Sequence, residues 1–218
     1  MRAPGRDAVN GGNVKDEDLR ARLKELYLPP VTDFVLVDVP EMRFVMVDGR
    51  GGPDSPAFAD AIKWLYAVID PMKPFAREQM GKHFVEPPLE GLWWADDIQD
   101  FMHGNRDKLN WRMMIVFEPG WLTAAMFEDA VDKAKASMGE PPSSLRLESL
   151  HEGLCAQIMH VGPNSGEVPT LARLHSKFLP AHDLAPNGNH HEIYLDDPKR
   201  VAPGKLRTVL RQPVRPSG

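Results

Sequence analysis

The feature of this 218-residue sequence that most limits its fold is an internal repeat. Gly52-Pro53-Asp54-Ser55 returns as Gly162-Pro163-Asn164-Ser165, 110 residues later. The same offset holds along the helical stripe that follows: Phe58 aligns with Val168, Ala61 with Leu171, Trp64 with Leu174, Val68 with Phe178 and Ile69 with Leu179. A stripe that keeps register over more than twenty residues is a stronger sign of duplication than a four-residue match. Upstream, the offset pairs Phe44 with Leu154 and Val45 with Cys155. Downstream it slips, so that Leu89-Glu90-Gly91-Leu92-Trp93-Trp94 corresponds to His191-Glu192-Ile193-Tyr194, with Glu90 facing the same place as Glu192. Trp111 to Pro119 corresponds to Leu206 to Pro213.

Each half then reads strand, helix, strand, strand, with repeats over about 31–119 and 145–214. Long helices grouped with antiparallel strands indicate an α+β fold. Two such units related by a pseudo-twofold axis predict one antiparallel sheet, a long helix from each half on one face, and a central groove. In the first half, Phe34–Val39 and Met42–Val47 read as strands. Ser55 and Pro56 supply an N-cap and a first-turn proline for the helix that follows. Residues 75–88 read as irregular, 96–110 as a short helical turn around Ile98, Phe101 and Met102, and 121–138 as a helix. Leu19, Leu23 and Leu26 predict a short amphipathic helix over residues 15–27. Residues 1–14 are expected to be a disordered tail before one domain over 15–214.

Composition excludes several classes. A net charge of -5 argues against a phosphate-tracking basic surface, and one amphipathic helix is too little for a helix-turn-helix reader, so no direct nucleic-acid binding is expected. No apolar run is long enough to span a membrane, and the N-terminal residues lack the apolar core of a secretory signal. Cys155 stands alone in the apolar run Gly153–Met159, which fits a buried thiol and a cytoplasmic location.

The chemistry concentrates in His190-His191-Glu192-Ile193-Tyr194-Leu195. On a strand His190, Glu192 and Tyr194 share one face, so a base, an acid and a phenol converge. Buried in an apolar groove, a carboxyl at Glu192 would have a raised pKa suited to a general base or to a cationic ligand. Tyr194 is a donor or a core tyrosine. Trp93 and Trp94 face opposite ways; Trp94, sharing a face with Glu90, is the expected groove wall. Trp111 is a second wall or core, Tyr66 a rim residue, and Trp64 helix–sheet core. The eight histidines show no His-x-x-x-His spacing, and one cysteine makes no thiolate cluster, so no metal site is expected. Gly49–Gly52 lacks the lysine of a phosphate loop and reads as a turn.

Lys24-Glu25-Leu26-Tyr27, Val39-Pro40-Glu41-Met42, Gly52-Pro53-Asp54-Ser55, Pro87-Pro88-Leu89-Glu90-Gly91-Leu92-Trp93-Trp94 and His190–Leu195 followed by Arg207–Pro213 together resemble the stand-alone GyrI-like small-molecule-binding proteins of the SOUL and bacterial effector-binding superfamily. The resemblance covers about residues 15–214. It implies a duplicated strand-helix-strand-strand fold, a hydrophobic groove and a functional glutamate, which maps onto Glu192. No cofactor is expected. Members of this branch include cyclopropanoid cyclopropyl hydrolases, which open the strained ring of DNA-alkylating compounds of the duocarmycin and yatakemycin type. Other relatives only bind ligands, as multidrug-sensing domains or gyrase modulators, and the DNA-binding domain of the transcriptional relatives is not expected here. The implied partner is a flat, hydrophobic, aromatic small molecule. Hydrolysis with Glu192 and Tyr194 as catalytic residues is the first expectation. Trp93, Trp94, Trp111, Tyr66, His190 and Glu90 are the expected ligand contacts. Sequestration without chemistry is the alternative, gyrase modulation a third reading, and the oligomeric state is left open.

Overall fold

The computed structural model describes residues 24–81, 84–97, 105–117 and 122–218. The expected N-terminal tail, most of the first helix, and the turn around Ile98, Phe101 and Met102 lie outside them. Among the described residues nine strands form an antiparallel arrangement: β1 (Val35–Val39), β2 (Met42–Arg50), β3 (Leu89–Ala95), β4 (Leu109–Val116), β5 (Arg146–Leu150), β6 (Gly153–Val161), β7 (Leu184–Pro186), β8 (His190–Tyr194) and β9 (Arg207–Pro216). Their order is β1-β6-β9-β8-β3-β4-β2-β5, with β7 added beside β9. The order reads the same from either end once each strand is exchanged for its repeat partner. The pseudo-twofold axis therefore passes between β3 and β8.

Two features of this order were not visible in the sequence. First, β1 does not pair with β2 but with β6 of the other half, and β5 pairs with β2. Each half thus lends its first strand to the other. Second, β5 and the short β7 are strands where none was expected. The register also corrects the repeat alignment. β1 and β5, and likewise β2 and β6, match at an offset of 111, not 110. The turn after β6 is one residue shorter than that after β2, which returns the helices to 110. A one-residue shift in a strand moves every side chain to the other face. Carried through the pairing registers, the offset of 111 makes Gly91 the partner of Glu192 and Trp93 the partner of Tyr194. Glu90 is not equivalent to Glu192; it lies on the opposite face of the sheet.

Helix α1 (Pro56–Ile69) is capped by Ser55, whose Oγ accepts from the Phe58 N–H at 3.3 Å. A second helix, α2 (Met72–Met80), occupies part of a stretch expected to be irregular. Pro74 falls in its first turn, where a missing N–H breaks no helical bond, and Gly81 ends it in the left-handed region. Helix α3 (Ala124–Met138), capped by Thr123, packs its Ala130 side against α1. Helix α4 begins at Val168–Arg173, widens to a π-turn over Leu174–Phe178 and ends with Leu179–Ala181. There the Leu179 N–H reaches back five residues to the Leu174 carbonyl.

α1 packs on Val45, Val47, Met113 and Ile115, and α4 on Ala156, Ile158 and Leu210. By register these seven residues share one face, so both repeat helices cover the same side. The other face carries a buried polar network. His191 Nδ1 stands 3.0 Å from Glu152 Oε1, and its Nε2 2.9 Å from Glu90 Oε2. Arg211 donates to Glu152 at 3.1 Å, to Gln157 at 3.0 Å and to the Leu26 carbonyl at 2.6 Å. Tyr27 donates to Glu90 at 3.1 Å. The network therefore holds segment 24–27 against the sheet.

Burial opposes charge on both His191 and Glu152, but each stabilises the other's ion. His191 is pushed up to about 9 and Glu152 is held down at about 2. A raised histidine contributes stability below its unfolded value of 6.5 and loses it as pH rises toward 9. A depressed carboxyl contributes above 4.5 and loses it as pH falls toward 2. Urea unfolding midpoints should therefore be highest between pH 4.5 and 6.5 and decline on both sides. In His191→Gln the alkaline decline from this pair should vanish, and a decline that persists unchanged assigns it elsewhere.

Candidate functional site

Glu192 sits in the middle of an apolar row that crosses the sheet: Val47, Met113, Gly91, Glu192, Leu210 and Ile158 are successive cross-strand partners. Its side chain is only 13% exposed on the helix-covered face. Opposite it, Gly91 is needed for space. A Cβ there would stand 3.0 Å from the Trp93 indole nitrogen and 3.0 Å from Met113 Sδ. Without it, the Trp93 ring leans over the strand and its N–H donates to the Tyr194 hydroxyl at 2.9 Å. That hydroxyl donates in turn to Glu192 Oε2 at 2.7 Å. On the other side, His190 Nε2 lies 3.6 Å from Glu192 Oε1. The two aromatic residues equivalent in the repeat thus meet at the axis, next to the carboxyl.

A cavity of about 740 Å³ opens beside this chain. That size suits a drug-sized ligand. Phe58, Ile62 and Tyr66 from α1 form one wall, and Leu89, Trp93 and Tyr194 from the sheet form another. Trp93 stacks on Phe58 at 5.7 Å between ring centres and 28° between planes, giving a flat aromatic surface. Glu86, Asp197 and Arg200 stand at the mouth. Of the β3 and β8 residues that line this cavity, Tyr194 carries the hydroxyl that links Trp93 to Glu192.

Burial pushes the Glu192 carboxyl up to about 7, against the hydrogen bond from Tyr194 and the charge of His191. Burial and the neighbouring Glu192 keep the Tyr194 phenol well above its ordinary value, so it is a protonated donor. His190 is held neutral, its pKa lowered to about 3 by burial and by His191 and His175. A residue that sequence reasoning missed belongs here. Glu167, just ahead of α4, is buried, and burial together with Glu192 raises its carboxyl to about 9. Its position is one turn after Gly162-Pro163-Asn164-Ser165, where a glutamate reads as an ordinary helix-start acid.

The remaining candidates separate. Tyr66, Trp93 and Tyr194 line the cavity, and His190 and Glu192 stand behind its floor. Trp94 does not join them. It faces the opposite side and packs against the cluster of Phe44, Met46, Leu92 and Met114. Glu90 also lies on that side, within the His191 network. Trp111 is 1% exposed, packed edge-on to Phe58 at 5.3 Å and lying over Gly49. It supports the wall from behind. Trp64 is core, as its repeat position indicates. Among the described residues, no group of three or more histidines, cysteines or carboxylates is placed to hold a metal. No helix among them is long and apolar enough to cross a membrane.

The fold is shared with known proteins. A protein of uncharacterised function from Listeria innocua is 36% identical, with a TM-score of 0.78 and coverage of 90% of this chain and 98% of that one. A hydrolase from Listeria innocua is 35% identical, with a TM-score of 0.75 and the same coverage. The C-terminal domain of EcmrR shares the fold at 11% identity and a TM-score of 0.50, covering 84% of this chain and 98% of that domain. No curated protein matches the sequence. The profile of the GyrI-like small molecule binding domain matches residues 32–215. With a repeat-built sheet, an aromatic cavity at its seam and that match over most of its length, the chain belongs to the GyrI-like small-molecule-binding domain family.

Proposed function

We propose that this protein hydrolyses the strained cyclopropane of flat, apolar, DNA-alkylating compounds, and so detoxifies them in the cytoplasm. The observation that carries the reading is the hydrogen-bonded chain Trp93–Tyr194–Glu192 at the floor of an aromatic cavity. The resemblance of the motif residues to cyclopropanoid cyclopropyl hydrolases supports it, and so does the 35% identity to a hydrolase. The stacked Phe58 and Trp93 rings offer a face for a planar ring system. Water bound at the Tyr194 oxygen is placed to attack the ring methylene. Its oxygen bonds to that carbon, and the strained carbon–carbon bond breaks with its electron pair passing into the conjugated carbonyl system. One water proton passes to the Tyr194 oxygen as the Tyr194 proton passes to Glu192. The phenolate formed on the substrate then takes a proton from solvent while Glu192 returns one to solvent, so the product is the substrate plus one water and the site is restored. The raised Glu192 pKa makes the carboxylate a competent acceptor near neutral pH.

The family description and the buried carboxyl also favour a second reading, in which the cavity only sequesters aromatic cations and Glu192 pairs with their charge. Incubation with a duocarmycin-type cyclopropane, followed by mass spectrometry, separates the two. Hydrolysis predicts a product one water heavier, formed in excess over protein by the wild type and not by Glu192→Gln. Unchanged compound with quenched tryptophan fluorescence selects sequestration. Trp93→Phe keeps an aromatic wall but removes the N–H that holds Tyr194. It should slow turnover about three- to tenfold, the worth of one hydrogen bond, with little change in ligand affinity. A larger loss of affinity than of turnover would make Trp93 a binding wall only.

A further inference from the structure

We propose that Glu167 and Glu192 form one buried two-carboxyl unit in which Glu167 keeps the proton and Glu192 the charge, making Glu167 a positioning residue of the hydrolytic site. The inference rests on the hydrolase reading for its consequence and on the geometry for its content. Glu167 is 4% exposed, and its Oε1 meets no hydrogen-bond partner among the described residues. Its backbone is fixed at the start of α4: its N–H donates to the Asn164 carbonyl at 3.1 Å, and its carbonyl accepts from Leu171 at 3.0 Å. A glutamate at a helix start ordinarily turns toward the free N–H groups or water. This one makes no cap and is buried, and Asn164, whose carbonyl its N–H reaches, lines the same cavity as Tyr194, the donor to Glu192; the charge that acts on its carboxyl is that of Glu192.

Two carboxyls in one apolar pocket do not both ionise, because neither solvent nor a cation offsets the second charge. Their partners decide which one does. Glu192 accepts a hydrogen bond from Tyr194 and feels the cationic His191 behind it, whereas Glu167 has neither. The other titratable groups near the pair do not reverse this. His190 is 3.6 Å from Glu192 and neutral, the pKa of His175 of α4 is lowered by partial desolvation, and His160 of β6 is turned to the Pro163 carbonyl at 3.2 Å. Charge therefore stays on the carboxyl that faces Tyr194. Glu167 keeps the pair at a single negative charge, and the raised values of about 7 for Glu192 and about 9 for Glu167 agree with that order.

Infrared titration of the full chain reads the pair without any ligand. The wild type should show a protonated-carboxyl band at pH 8 that disappears with a midpoint near 9 and is absent in Glu167→Gln. In Glu192→Gln the midpoint should move to lower pH, because the neighbouring negative charge is gone. A band at pH 8 that survives Glu167→Gln, or a midpoint unmoved by Glu192→Gln, overturns the proposal. Turnover of the cyclopropane should fall below about pH 7 and above about pH 9 in the wild type. Glu167→Gln, which keeps a neutral donor, should lack the alkaline fall and retain more turnover at pH 8 than Glu167→Ala; equal losses and an unchanged profile also overturn it. If the wild type shows the band but no turnover, the carboxyl pair stands and the hydrolytic reading falls.

Discussion

The pairing of β3 with β8 is the contact on which the rest of the structure depends. It is the seam between the two halves, and the pseudo-twofold axis runs between the facing residues Gly91 and Glu192. An isolated half would expose this strand edge and an apolar face that it cannot cover. Pairing the edges completes the ladder of hydrogen bonds and brings two helices to one side of a single sheet. The exchange of β1 and β5 between halves reinforces the seam, since neither half can separate without losing its outer strand.

The two faces of that seam treat charge in opposite ways. On one face His191 is flanked by Glu90 and Glu152, and Arg211 completes the group, so cations and carboxyls are matched and hydrogen-bonded. Such a network holds one arrangement firmly, because removing any member leaves another buried charge unmatched. On the opposite face a phenol and a neutral imidazole stand next to Glu192, and no cation among the described residues pairs with it on that face. Burial there raises its pKa instead of lowering it. Adjacent residues of one strand, His191 and Glu192, thus differ in kind: one is tied into the fold by matched charges, and the other keeps a carboxyl with a raised pKa.

Much of this was legible in the sequence because side-chain periodicity is local. The helical stripe from Phe58 to Ile69, its repeat from Val168 to Leu179, the Ser55 cap and the shared face of His190, Glu192 and Tyr194 all follow from spacings of 3.6 and 2. What was not legible was non-local or turned on one residue. Glu90 and Glu192 look equivalent in a linear alignment, yet a turn one residue shorter after β6 and the register across the sheet put them on opposite faces. The same shift sends Trp94 away from the cavity and brings Trp93 into it. β1 sits beside Met42–Arg50 in sequence but pairs with β6, a choice that depends on edges formed by residues more than a hundred positions away.

By itself, then, the sequence determined the duplication, the mixed helix and strand composition of each half, and the strand that carries Glu192 and Tyr194. These are set by backbone geometry and apolar patterning, which act over a few residues. Only the tertiary structure decided which aromatic ring meets Tyr194, that Gly91 leaves room for it, and that Glu167 is buried at the start of α4. Those outcomes depend on pairing register and burial, and the pKa of a carboxyl is set by what surrounds it in space, not by its neighbours along the chain.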